Sequence, residues 1–279
     1  MILVAGATGT IGTELLRVLT AEGVAVRAMT RDPARLRVAG VDAVRADYGD
    51  PASLARAVAG AESVFLLTAP SGPVAEHDRA MVDAARTAGV ARVVKLSAIR
   101  VPELDELSFH LPGERLLVDS GLGWTVLRPA SFASNTLSWA PAIRAGEPVP
   151  NPTGTGRQPV VDPRDVAAVA ARVLTGDGHD KRVYTLTGPD PISVPEQAEQ
   201  LAAVLGRPVR LADVSPSEYR DRLLAAGVDA GMVEVAARGS AAVRNGVGAA
   251  TTDDVARVLG RPPTRYADWA RAHRDAFPS

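Results

Sequence analysis

Cysteine is absent from the 279 residues. This removes disulfide frameworks, thiolate metal sites and a cysteine nucleophile from the chemistry open to the chain. An excess of charge is lacking too: 31 Lys and Arg against 32 Asp and Glu leave a net charge of −1. Nucleic acid calls for a basic surface, so no nucleic-acid partner is expected. No apolar run approaches the roughly 20 residues that cross a bilayer. The chain opens on a strand-like Ile2-Leu3-Val4-Ala5 and not on a charged, then apolar, leader. Neither a membrane partner nor a signal peptide is expected, and the expected location is cytoplasmic. Lysine occurs only at Lys95 and Lys181. His77, His179 and His273 stand at no metal-ligand spacing, so no metal is assigned. What the chain does have is apolar material, 46% of its residues. That suffices for one large α/β domain with an appended lobe.

The most informative segment is Gly6-Ala7-Thr8-Gly9-Thr10-Ile11-Gly12, directly after the first apolar run. It reads as strand, glycine turn and a helix beginning near Thr10, carried on by Leu15, Leu16, Val18 and Leu19. The first amides of a helix have no partner in the chain, and the helix dipole adds partial positive charge, so an anion is favoured there. Gly6 permits the sharp turn, Gly9 the approach of a diphosphate, and Gly12 the packing of helix on strand. Gly6, Thr8, Gly9, Thr10 and Ile11 are therefore candidate cofactor contacts. A tight βα turn without a ligand is the plainer alternative.

Downstream, strands are expected at 24–29, 41–46, 63–67, 92–97 and 124–128, alternating with helices from Pro33 and at 50–58, 77–88 and 113–120. This alternation predicts a Rossmann-like, doubly wound parallel sheet. The strands are nearly all apolar, as suits a sheet covered on both faces. After Pro129, residues 141–163 read as a Pro- and Gly-rich loop, 165–174 as a helix, 183–186 as a strand and 209–211 as a short strand. From Ser193 the chain reads as mostly helical, with a small or mobile element over the Ala- and Gly-rich 226–250. Residues 1–130, with 155–190 returning to them, are expected to form an NAD(P)-binding domain. Residues 131–154 and 191–279 are expected to form a smaller, mostly helical C-terminal lobe that binds substrate.

The tip after the second strand, Thr30-Arg31-Asp32-Pro33, bears on which nicotinamide cofactor is used. An acid at this tip holds the ribose 2′-hydroxyl, whereas a cation accepts a 2′-phosphate. Arg31 favours NADPH; the competing reading gives Asp32 to the 2′-hydroxyl of NADH. Asp47 and Tyr48, after the third strand, are placed to touch adenine, with a turn cap as the alternative for Asp47. Thr68, Ala69 and Pro70, after the fourth, are expected beside the nicotinamide ribose.

Together these segments resemble the atypical short-chain dehydrogenase/reductases of the NmrA-like type, which include quinone and azo reductases. The likeness rests on Gly6 to Gly12, Thr30 to Pro33, Asp47 with Pro51, His110 with Glu114, Ser120 to Pro129, Val161 to Val166 and Tyr184 to Pro189. It covers nearly the whole chain. It implies a Rossmann-like domain with a smaller C-terminal lobe, and a family holding both reductases and dinucleotide-binding regulators without turnover. Typical members of the wider superfamily use a Tyr acid with a Lys four positions on. None of Tyr48, Tyr184, Tyr219 or Tyr266 has that Lys.

Ser97, ending the fifth strand, matches the superfamily's serine position and is expected as a cofactor or substrate contact rather than a nucleophile; Pro129, after the sixth strand, is a further candidate cofactor contact. Where the Tyr is expected stands His110, with Glu114 four residues later. A His of near-neutral pKa donates a proton readily, and Glu114 is placed to orient it. Alternatively, His110 packs under the lobe and Glu114 opens a helix. Lys95 is expected to snorkel. Phe109, Phe132 and Trp139 either line an aromatic pocket or pack in the core.

The expected function is an NADPH-dependent oxidoreductase passing hydride to an apolar aromatic carbonyl or quinone. The alternative is a non-catalytic redox sensor that docks a partner. The expected partner is a small aromatic substrate, and the chain is expected as a monomer or homodimer.

Overall fold

The structure, a computed structural model, describes residues 1–69 and 72–277. Its strands are β1 (Ile2–Val4), β2 (Val26–Thr30), β3 (Asp42–Arg45), β4 (Ser63–Leu66), β5 (Arg92–Leu96), β6 (Gly123–Pro129), β7 (Ser131–Phe132), β8 (Val149–Asn151), β9 (Arg157–Val161), β10 (Arg182–Leu186), β11 (Pro191–Ser193) and β12 (Leu211–Asp213). Its helices are α1 (Thr10–Ala21), α2 (Pro51–Val58), α3 (Val74–Thr87), α4 (Leu111–Val118), α5 (Ala140–Ala145), α6 (Pro163–Thr175), α7 (Val194–Leu205), α8 (Pro216–Ala225), α9 (Ala230–Arg244), α10 (Asp254–Leu259) and α11 (Tyr266–Ala272).

Seven strands make one parallel sheet in the order β10-β6-β5-β4-β1-β2-β3. The alternation of side chains along β1 shows why both faces are covered. Ile2 and Val4 join Leu15 and Leu16 of α1 and Val166 and Val169 of α6 on one face. Leu3 joins Leu54 of α2, Met81 of α3 and Leu117 of α4 on the other. The order reverses between β1 and β4, which opens the crevice where such sheets take ligands.

A third core gathers Ile143, Val149, Leu201, Tyr266, Trp269 and Phe277. Asp50 caps α2 as expected, accepting from the amides of Ala52 and Ser53.

Several expectations need correction. The segment 141–163 is not a loop: it carries α5, β8 and β9. Each is too short for its periodicity to stand out, and the two strands are held by tertiary pairing, β8 to β12 and β9 to β7 and β11. Residues 226–250 hold α9, at 15 residues the longest helix among the described residues. Its alanines favour helix, and its glycines hid the pattern. The edge strand β3 is largely exposed, so the two-faced covering stops at β2.

Candidate active site

The glycine turn is built as a cradle. Gly6 has φ +65°, and a β-carbon there would press on Leu67. A β-carbon at Gly12 would overlap the Gly6 carbonyl. Gly9 is the N-cap of α1, no side chain caps that helix, and no acid stands in its first turn. Its first amides are thus left to an outside acceptor. Gly9 and Thr10 are exposed, and Thr8 and Gly6 partly so. Ile11 is buried in the core, so its contribution toward a ligand is its backbone amide.

The far end of the crevice is cationic. Arg31, Arg45 and Arg56 line a cleft of about 310 Å³ together with Asp47, Asp50 and Ser53. The carboxylates there are used in turns. Asp47 accepts from the Gly49 amide at 2.8 Å, and Asp50 caps α2. Asp32 likewise accepts from the Ala34 amide at 3.1 Å, closing the 3-10 turn Pro33–Arg35. Tyr48 stacks on His77, with ring centroids 4.9 Å apart. Its hydroxyl donates to the Leu67 carbonyl at 2.8 Å, and burial pushes that phenol up.

Where β4 and β5 end, a charged group lies beneath the crevice. Thr68 Oγ1 donates to Asp78 Oδ1 at 2.8 Å, and Lys95 Nζ donates to Asp78 Oδ2 at 2.6 Å. Neither Lys95 nor Asp78 has any solvent exposure. The expected snorkelling of Lys95 is therefore wrong. β5 lies between β4 and β6, its stem cannot reach water, and α3 brings the countercharge instead. Ala69 follows Thr68 at the rim; Pro70 lies outside the described residues.

Beside this group, Ser97 donates its hydroxyl to Glu114 Oε1. Arg128 grips the same carboxylate with both arms of its guanidinium fork. The Ser97 amide is held by the Leu127 carbonyl at 2.7 Å, and Pro129, at the end of β6, is buried. Glu114 therefore does not orient His110, as expected from the sequence. It clips β5, α4 and β6 together.

His110 stands at the N-cap of α4, and its Nδ1 is buried with no hydrogen-bond partner. Burial, reinforced by the nearby Lys95 ammonium, pushes its imidazole down to about 4. The near-neutral value expected from sequence is thus corrected by desolvation. His110 and Phe109 line a cavity of about 280 Å³, closed by Val101, Leu104 and, from α9, Met232 and Val235. Phe109 alone of the three aromatics lines this cavity. Phe132 packs on the α1–α6 core and Trp139 on the third core.

Three features of this region were not among the residues expected from the sequence. Asp78 sits in the buried stripe Val74, Met81, Val82, Ala85 of α3, and an acid inside an apolar stripe is a readable sign of a buried partner. Gly113 lies inside α4 because a β-carbon there would overlap the Asp78 carboxylate. The α9 wall of the cavity had no sequence signal beyond alanine content.

The model of the NAD(P)H-binding family matches residues 6–177. The chain belongs to that family. Among curated proteins it is similar to (4-alkanoyl-5-oxo-2,5-dihydrofuran-3-yl)methyl phosphate reductase of Streptomyces griseus subsp. griseus, 41% identical with 99% of each chain covered. It is also similar to the NAD(P)H azoreductase of Xenophilus azovorans, 34% identical with 99% of each covered. Among solved structures, the NADPH-dependent quinone oxidoreductase of Escherichia coli complexed with NADPH superposes with a TM-score of 0.86. It is 28% identical, with 99% of this chain and 100% of that one covered. The protein is thus an NADPH-dependent oxidoreductase of the atypical short-chain dehydrogenase/reductase type, NmrA-like and on the quinone- and azo-reductase side of that group. The cradle that a β-carbon would fill and the arginine-lined cleft fit its cofactor.

No helix among the described residues is long and apolar enough to cross a membrane.

Proposed function

We propose that the protein reduces an apolar, electron-poor conjugated acceptor of the quinone type, held in the cavity between His110 and α9. Bound NADPH supplies the hydride. The chain's own contribution is to hold the two partners together and keep water from between them.

The observation that carries this reading is the lack of a usable acid among the described residues around the cavity. His110 is neutral near pH 7, since its pKa lies at about 4. The two ionisable groups at the rim, Arg100 and Asp105, are locked to each other, with Arg100 Nε 2.8 Å from Asp105 Oδ2. That guanidinium holds the Asp105 carboxyl below the usual range. An isolated ketone becomes a strongly basic alkoxide on taking hydride and needs a matched acid. A quinone becomes a phenolate, whose charge is spread by resonance, and water suffices to protonate it. The neutral His110 N–H serves as a hydrogen-bond donor to that oxygen, and Ser97, its own proton given to Glu114, offers only lone pairs to ligand or cofactor.

In this reading Gly6, Thr8, Gly9, Thr10 and Ile11 hold the diphosphate, and Arg31 holds the 2′-phosphate. Asp47 and Tyr48 flank the adenine, and Thr68, Ala69, Ser97 and Pro129 line the nicotinamide half. The names of the relatives support the acceptor class. One relative is named for a (4-alkanoyl-5-oxo-2,5-dihydrofuran-3-yl)methyl phosphate, a ring alkene bearing two carbonyls and a phosphate arm, and the others for a quinone and for azo compounds.

The test is NADPH oxidation by the purified protein with 1,4-naphthoquinone and with acetophenone. Quinone turnover far above ketone turnover is expected. Equal rates, or reduction of the ketone alone, would overturn the reading.

A further inference from the structure

The cavity beside His110 does not end at α9. A second chamber of about 140 Å³ adjoins it, and Ile99, Val101, Leu104 and Gly239 line both. Beyond that shared wall the second chamber runs along Ala242, Val243 and Val247, with Ser131 and Gln158 as its polar lining, and no ionisable side chain among the described residues lines it. Gly239 sits at the junction. A β-carbon built there would meet no atom within 4 Å, so the helix leaves open space at this point. Glycine inside an α-helix costs about 1 kcal/mol relative to alanine. No positive φ or close backbone approach requires it here. The space that its missing side chain leaves lies where the two chambers share their wall.

We infer that Gly239 is the aperture through which an apolar side arm of the substrate passes into the second chamber, so that the enzyme selects acceptors carrying such an arm over unsubstituted ones. The inference rests on the acceptor class proposed above. The main chamber takes the reducible ring beside His110. The second chamber takes an uncharged substituent about as bulky as one benzene ring or an alkyl chain of equal volume, since a cavity near 150 Å³ holds benzene. Each methylene that leaves water for the chamber improves affinity roughly fourfold.

The experiment compares 1,4-benzoquinones bearing no arm, a propyl arm or a pentyl arm. Two readouts are taken: kcat/KM with NADPH, and binding to the NADP⁺ complex by calorimetry. Wild type is expected to prefer the pentyl over the unsubstituted quinone by at least about tenfold. Gly239→Leu fills the aperture and is expected to abolish that preference. The substitution also raises helix propensity, so folding is not the weak point; a melting temperature no lower than that of wild type checks this. Val243→Ala enlarges the chamber and is expected to move the preference toward a longer arm, which general damage to the site does not do. No preference in wild type, or a preference that survives Gly239→Leu, overturns the inference while leaving the quinone reading intact. Arm-dependent binding without turnover of any quinone overturns the quinone reading and leaves the aperture standing. Absence of both overturns both.

Discussion

Lys95 and Asp78 form an ion pair from which water is wholly excluded, with Nζ 2.6 Å from Oδ2 and neither side chain exposed. The pair joins β5 to α3 directly below the end of the sheet where the crevice opens. The remaining oxygen of Asp78 takes the Thr68 hydroxyl, so the carboxylate is satisfied on both sides. A buried pair of this kind adds little net stability compared with apolar residues, but breaking one half is costly.

Asp78→Asn should therefore destabilise the protein by about 3–5 kcal/mol, because it leaves a buried ammonium without its countercharge. Lys95→Met combined with Asp78→Asn should cost less than Asp78→Asn alone. Denaturant unfolding of the single and double variants measures the coupling. A double variant as unstable as the sum of its singles would show that the pair is not a unit.

Gly113→Ala tests the same packing from the other side. Alanine is the better helix former by about 1 kcal/mol, yet its β-carbon would overlap the Asp78 carboxylate. A net loss of about 1–3 kcal/mol is expected from the overpacking. A stabilised Gly113→Ala would mean that α4 gives way easily there. Thermal unfolding settles the sign.

Arg31→Ala should weaken NADPH binding by roughly tenfold to a hundredfold, the loss of a charged hydrogen bond. NADH affinity should change little if the cleft that Arg31 lines takes the 2′-phosphate, as proposed. Fluorescence titration with both nucleotides gives the ratio. Equal losses would hand the ribose recognition back to Asp32.

His110 should leave two marks on pH profiles. Its pKa of about 4 keeps it neutral above pH 6, so quinone turnover should be flat from pH 6 to 8. A limb near pH 6.5 that vanishes in His110→Gln would restore His110 as an acid. Stability follows the other mark. The native pKa lies below the ordinary 6.5, so the unfolded chain binds the proton first as pH falls. His110 should cost about 1.4 kcal/mol for each pH unit between 6.5 and 4 and nothing further above 6.5. His110→Gln should flatten that slope in acid unfolding.

The parts of the fold that were legible share a property: each is written in neighbouring residues. The run Ile2 to Ala5, the spacing of Gly6, Gly9 and Gly12, and the Asp50-Pro51 start of α2 all act within one turn or one strand. The short β8 and β9 were not legible, because three to five residues carry no period until a partner strand pairs with them. α9 was hidden for a related reason. Its buried positions are only Val233 and Ala237, so it shows no strong apolar stripe.

The amino-acid order by itself determined the parallel sheet, the anion-binding cradle at Gly6 to Gly12 and the cation at Arg31, because local sterics and apolar alternation decide such features. Tertiary structure alone decided that Lys95 is sealed against Asp78, that Glu114 binds Ser97 and Arg128, that burial pushes the His110 imidazole down to about 4, and that Gly239 lines two adjoining cavities. These properties depend on burial and on the approach of residues distant along the chain. The energy of a charge or a cavity is set by what surrounds it in space, which no stretch of sequence contains.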